Sequence, residues 1–226
     1  MHLNSDFSQR VVIRPEEYGF VPSPLSGVSR MMFDRVGDEV ARATSIVRYE
    51  PGAGYSGHVH EGGEEIFVLS GTFSDEHGDY PAGSYLRNPP GSAHTPYSAE
   101  GCTILVKLWQ FASTDSEFVN VSTLDMRFMP GLVEGLSVLP LHEHEGVNTA
   151  LVRWAPHTQF NPHTHPGGEE ILVLEGCFYD EHGEYPEGTW IRSPRYSQHT
   201  PFTRDEGALI YVKVGHLGAN LLGDNL

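Results

Sequence analysis

The chain states one pattern twice. His58-Val59-His60-Glu61-Gly62-Gly63-Glu64-Glu65, followed by His94, returns as His163-Thr164-His165-Pro166-Gly167-Gly168-Glu169-Glu170, followed by His199. His58 to His163, Glu64 to Glu169 and His94 to His199 are the same step of 105 residues. A period this long means two whole domains rather than a solenoid of short units. The echo extends well beyond the histidines. Phe20-Val21-Pro22 answers Phe128-Met129-Pro130, Gly27 answers Gly135, and roughly half of the positions between Ser45 and Glu100 are identical to their counterparts. One extra residue after Glu100 then sets Lys107 against Lys213. The 226 residues therefore divide into a first domain, 1–115, and a second, 116–226, joined through the polar stretch Ala112-Ser113-Thr114-Asp115-Ser116-Glu117. Residues 1–10 read as a loose polar tail and Gly218–Leu226 as a short one.

Local pattern predicts strands almost throughout. Thr44-Ser45-Ile46-Val47-Arg48-Tyr49, Glu65-Ile66-Phe67-Val68-Leu69 and Thr103-Ile104-Leu105-Val106-Lys107-Leu108-Trp109 are short runs rich in β-branched and aromatic residues. Pro51-Gly52, Gly62-Gly63, His77-Gly78, Pro81-Ala82-Gly83 and Pro89-Pro90-Gly91 break them with turns. No long stretch carries helical periodicity. Such spacing predicts an all-β sandwich or barrel in each half.

Within a strand, residues two apart share a face. His58 and His60 thus point the same way. Gly62-Gly63 turns the chain into a strand on which Glu64, Ile66 and Val68 share one face and Glu65, Phe67 and Leu69 the other. Glu64 joins the histidines over an apolar floor, and His94 arrives from a later strand. Three imidazoles and a carboxylate suit zinc, iron, nickel, copper or manganese. An H-x-H alone has a bland explanation. Here H-x-H-x3-E-x6-G, then G-x5-P-x4-H, occurs twice, with Gly71, Gly83 and Pro89 in the first copy and Gly176, Gly188 and Pro194 in the second.

These blocks resemble the paired motifs of the cupin superfamily. The run from Gly62 to Gly83, including Ser74-Asp75-Glu76-His77-Gly78-Asp79-Tyr80-Pro81, is similar to the ChrR-like cupin domain, the metal-binding half of ChrR-type anti-sigma factors that act in responses to singlet oxygen and organic peroxides. Acetylacetone-cleaving dioxygenase is a near relative of that family. The resemblance covers both repeats and implies two tandem cupin (jelly-roll) barrels. It also implies a divalent metal at each of two sites, His58, His60, Glu64 and His94, and His163, His165, Glu169 and His199. Zinc is the first choice, with iron, manganese or nickel as alternatives. Two departures stand out. The family's Asn four residues after the last histidine is Ser98 here, and Thr203 in the second copy. The H-x3-C-x2-C motif that grips a sigma factor is missing, with no cysteine before Cys102; this speaks against direct sigma-factor binding by this polypeptide alone.

The rest bounds the function. A formal charge of −16 repels phosphate backbones and anionic membranes, which argues against nucleic acid and membrane partners. No apolar run is long enough to span a bilayer, and the opening residues resemble no signal peptide. The expectation is a cytoplasmic protein with a small-molecule ligand or substrate, and a homodimer is an option. Cys102 and Cys177 are not equivalent in the repeat and read as buried thiols. His77 and His182 read as solvated turn residues, and Tyr80 and Tyr185 as packing residues. His142-Glu143-His144 reads as a loop. Glu65 and Glu170 point away from the metal, with Arg87 and Arg192 as candidate partners. Lys107 and Lys213 either snorkel to the rim or face the cavity. The loop before His199 carries Arg195 and Tyr196 where the first copy has small residues, so Arg195 is expected to raise the field at the second mouth and favour carboxylates there. Two functions compete: a regulatory, stress-linked module with a closed zinc shell, and a metalloenzyme of the dioxygenase type with open metal positions.

Overall fold

The computed structural model describes residues 1–38 and 40–218, so all but Gly218 of the expected C-terminal tail lies outside the described residues. Among the described residues, regular structure is strand apart from two single turns of 3-10 helix, Pro15–Glu17 and Thr123–Asp125. No helix is long and apolar enough to cross a membrane.

The chain forms two compact units, each a cupin barrel. The first combines Met1–Ser5 with Gly19–Met126; the second combines Asp6–Tyr18 with the residues from Arg127 onward. The division at residue 115 follows the repeat, whereas the compact units exchange two segments across it. Val119–Ser122 adds an edge strand to Ser84–Asn88 in the first unit. Val11–Ile13 does the same for Trp190–Ser193 in the second. The expected loose tail over residues 1–10 is instead held. His2–Leu3 pairs with Val36 and Arg35 in the first unit, and Arg10 ion-pairs with Asp180 at 3.1 Å in the second. Its partners lie far along the chain, so no local signal marks it.

In the first unit the large sheet runs Val28–Gly37, Ala41–Tyr49, Cys102–Leu108, Glu64–Asp75, Ser84–Asn88, all antiparallel. A small sheet of His58–His60 and Ser92–His94 completes the barrel wall. The second unit repeats this with Leu136–His144, Val147–Trp154, Ala208–Val214, Glu169–Asp180 and Trp190–Ser193, and with the small sheet His163–His165 and Ser197–His199. His142-Glu143-His144 ends a strand rather than forming a loop.

Alternation fills the interior as expected. Ile66 and Val68 pack with Val47, Leu86, Ile104 and Val106; Ile171 and Val173 pack with Trp154, Ile191 and Ile210. Both cysteines are buried free thiols. The opposite face carries buried charge. Glu65 stands in register between Arg87 and Lys107, and Glu170 between Arg192 and Lys213. Lys107 and Lys213 are only 1% and 2% exposed. They therefore neither snorkel nor line the metal cavity. They sit on the outer face, where Lys107 Nζ donates to Thr44 Oγ1 at 3.3 Å. Arg87 ion-pairs with Asp115 at 2.7 Å and lies over the Phe111 ring. Glu170 accepts from Trp190 Nε1 at 2.8 Å and lies 3.1 Å from His216 Nε2.

Candidate metal centres

Each small sheet brings distant ligands together through register. His58 and His94 are directly paired across the strands, as are His163 and His199. The Gly62-Gly63 turn then delivers Glu64. Gly63 has φ +75°, and a side chain at Gly62 would drive into the Trp109 ring, so this tight turn needs both glycines.

His58, His60 and His94 place one ligand atom each within 4.8 Å of one another, and so do His163, His165 and His199. In the second group Nε2 of His199 lies 3.1 Å from that of His165 and 3.3 Å from that of His163. Nitrogens about 2.0–2.1 Å from a shared metal stand about 2.9–3.4 Å apart at octahedral to tetrahedral angles. Glu64 Oε2 lies 3.2 Å from His60 Nε2 and 3.4 Å from His94 Nε2. Glu169 Oε2 lies 3.6 Å from Nε2 of both His165 and His199. Nε2 of His60 and of His94 is sealed from solvent without a well-formed hydrogen bond. Orphaned buried imidazole nitrogens are costly, and a cation among them removes that cost. Both groups could hold a metal.

The outer ring nitrogens are fixed. Nδ1 of His58 donates to the Ser56 carbonyl at 2.9 Å, and Nδ1 of His163 to that of Asn161 at 3.0 Å. Nδ1 of His94 faces Asp75 at 3.2 Å, and Nδ1 of His199 faces Asp180 at 3.6 Å. Holding Nδ1 fixes the tautomer and leaves Nε2 as the free donor of a lone pair. Asp75 and Asp180, which engage these rings, were not singled out from the sequence. They belong to the Asp-Glu-His-Gly hairpin tips, where His77 and His182 are exposed as expected. Tyr80 and Tyr185 do more than pack, donating to Asp75 at 2.9 Å and Asp180 at 2.6 Å. Glu76 and Glu181 accept from the Thr95 and Thr200 amides at 2.7 and 2.8 Å, clamping the chain just beyond His94 and His199. The signal was present: both tips repeat Asp-Glu-His-Gly at the same step as the histidines.

Electrostatics suit neutral imidazole at His60, His163 and His165, whereas at His199 burial is outweighed by the hydrogen bond to Asp180 and by nearby Glu169, which hold that ring above the usual imidazole range. Burial, aided by nearby His58, holds His60 down at about 4. Burial, aided by His199 and His163, holds His165 at about 3. Burial pushes Glu64 up, and it pushes Glu169 up to about 7. Burial opposes ionisation of Asp180 too, but hydrogen bonds from His199 and Tyr185 hold it at about 2.

The second centre opens on a cavity of about 430 Å³. His163, Glu169 and His199 lie on its wall with Val138, Val152 and Val212. Arg195 and Tyr196 are not part of that wall. Both are exposed; Arg195 Nε donates to the Pro166 carbonyl at 3.4 Å and the guanidinium sits 5.2 Å over the Tyr196 ring. The expected positive field at the second mouth is therefore not supplied from inside the cavity.

The model of the ChrR Cupin-like domain matches the chain twice, over residues 8–112 and 116–218. The chain belongs to the ChrR Cupin-like domain family. A germin-like protein of subfamily 1 (member 20) from Arabidopsis thaliana is 41% identical over 61 residues, 26% of this chain. That match spans 23% of the germin-like protein, about a quarter of its length. Among solved structures, a candidate dioxygenase from Nostoc punctiforme superposes with a TM-score of 0.78 at 17% identity, covering 92% of this chain and 82% of its own. The bacterial pirin of Escherichia coli in complex with nickel(II) gives 0.66 at 15% identity, covering 91% and 99%. At these identities the superpositions establish the fold: this ChrR Cupin-like protein shares its paired barrels with proteins of several kinds.

Proposed function

We propose that His58, His60, Glu64 and His94, and His163, His165, Glu169 and His199, each hold one divalent first-row metal. We further propose that the protein is a metalloenzyme acting on a small organic molecule. The observation that carries this reading is the cavity of about 430 Å³ that reaches the second histidine group. A closed structural zinc site needs no such space. A catalytic site keeps coordination positions open beside a shaped, mostly apolar pocket.

When bound, the metal would supply Lewis acidity and, if iron or another redox metal, a place for oxygen chemistry of the dioxygenase type. The chain's own residues do the rest. His163 and His165 present neutral Nε2 atoms, His199 does so once it has released its proton, and Asp180 and the Asn161 carbonyl keep two of those rings aimed. Val138, Val152 and Val212 exclude water and select an apolar ligand body. The Nostoc and Escherichia proteins, named as a candidate dioxygenase and a nickel(II) complex, support the reading by analogy. Family membership carries a second reading, a regulatory, stress-linked zinc module.

Elemental analysis of protein purified without added metal, beside oxygen-uptake measurements on a panel of small diketones and carboxylic acids, separates the two. The enzyme reading expects a redox-capable metal and uptake that disappears on chelation. Full occupancy by zinc with no uptake would establish the regulatory reading instead.

A further inference from the structure

Several cavity-wall residues of the second barrel differ from their counterparts in the first, and one of these differences exchanges an apolar side chain for a charged one. Val138 pairs in register with Val152, and both line the second cavity beside His163, Glu169 and His199. The equivalent residue in the first barrel is Arg30, which pairs in register with Val47. Residues directly opposite across an antiparallel pair share a face. Val47 belongs to the interior cluster with Ile66, Val68 and Val106, so Arg30 projects from the interior face of the first barrel. Val28, two residues earlier on the same strand, belongs to that cluster as well.

Arg30 is half-buried, and its Nε is sealed from solvent with no hydrogen-bond partner. Among the described residues no carboxylate or aromatic ring engages its guanidinium. The buried arginines on the outer face of each barrel are different: Arg87 has Asp115 and Phe111, and Arg192 has Phe7. A guanidinium Nε sealed on the interior face beside Val47 without an acceptor carries a desolvation cost that a structural role does not explain.

We propose that the first barrel takes a small carboxylate, held by Arg30 beside the metal, whereas the second takes a ligand whose body is apolar at the same place. The planar fork of guanidinium matches a carboxylate through two parallel hydrogen bonds. A metal with one carboxylate ligand retains positive charge, and a guanidinium at the place where Val138 lines the second cavity beside the histidines would add to it. The proposal rests on the metal reading for the carboxylate's neighbour, but the Arg30 contact is independent of it.

The test uses the full chain with His163→Ala and His165→Ala, so that only the first site reports. Malonate, with inorganic phosphate as a second probe, is titrated by calorimetry into this background and into Arg30→Val, the residue the second barrel itself uses. Both titrations are run metal-free and cobalt-loaded, with metal content measured and the cobalt absorption bands recorded. Malonate is expected to bind at least about tenfold more weakly to Arg30→Val in both forms, and to shift the cobalt bands only when Arg30 is present. The reciprocal Val138→Arg, in the His58→Ala, His60→Ala background, is expected to tighten malonate binding at the second site. Equal malonate affinity with and without Arg30, or phosphate bound more tightly than malonate, overturns the proposal. If cobalt fails to bind but Arg30→Val still weakens malonate, the Arg30 assignment stands and the metal reading falls.

Discussion

His94 turns Nδ1 toward Asp75 at 3.2 Å, and the same ring presents Nε2 to Glu64 at 3.4 Å. One carboxylate orients the imidazole and the other shares its working side. The second barrel repeats the relation through Asp180 and His199, but there Arg10 also holds Asp180 at 3.1 Å. Replacing Asp75 by Asn keeps the volume and removes the negative acceptor. Metal affinity at the first site is expected to fall by about 10–100-fold, the usual cost of losing such a partner. Competition with a metal-sensitive dye measures it, with the second site as internal reference.

Metal uptake at the second site should depend on pH near neutrality. The bound form needs Glu169 ionised and the histidines neutral. Burial has already made His165 neutral down to about 3, so that ring sets no threshold there. Glu169, raised to about 7, does: in the metal-free protein it holds its proton below that value and must release it on binding. Burial opposes the charge on His199, but its hydrogen bond to Asp180 and nearby Glu169 hold it above the usual imidazole range, so it too gives up a proton on binding. Affinity therefore falls as pH drops through about 7, with protons released from both Glu169 and His199. Calorimetry in buffers of different ionisation enthalpy, between about pH 6 and about pH 8, reads those protons directly.

The buried pair Arg87–Asp115 makes a stability prediction apart from the metal. Both side chains are almost fully sealed at 2.7 Å separation. Asp115→Ala strands a buried guanidinium, and breaking such a pair costs about 3–5 kcal/mol. Urea denaturation of the chelated protein should show this as a lowered midpoint.

The candidate ligands were legible because four residues of two types, imidazole and carboxylate, recur at one spacing and three of them fall within the seven residues 58–64. Strand alternation likewise placed Glu64, Ile66 and Val68 on the inside. Asp75 and Asp180 were not legible as orienting groups, because their role depends on how the hairpin Glu64–Asp75 with Gly78–Pro81 folds back over the strand carrying His94. Lys107 illustrates the same limit: alternation gives its face, but not the sealing of that face from water. Arg10 and Val11–Ile13 find partners far along the chain, which no local pattern encodes. Arg195 looked important because it is close to His199 in sequence, yet its guanidinium spends its contacts on Tyr196 and the Pro166 carbonyl.

If the duplicated ligands build two separate metal sites, metal content per chain distinguishes them after dialysis of wild type, of His58→Ala with His60→Ala, and of His163→Ala with His165→Ala. Two metals in wild type and one in each double variant is the predicted result, with each variant melting below wild type because a bound metal stabilises only the folded form. Retention of two metals per chain in either double variant would contradict the assignment.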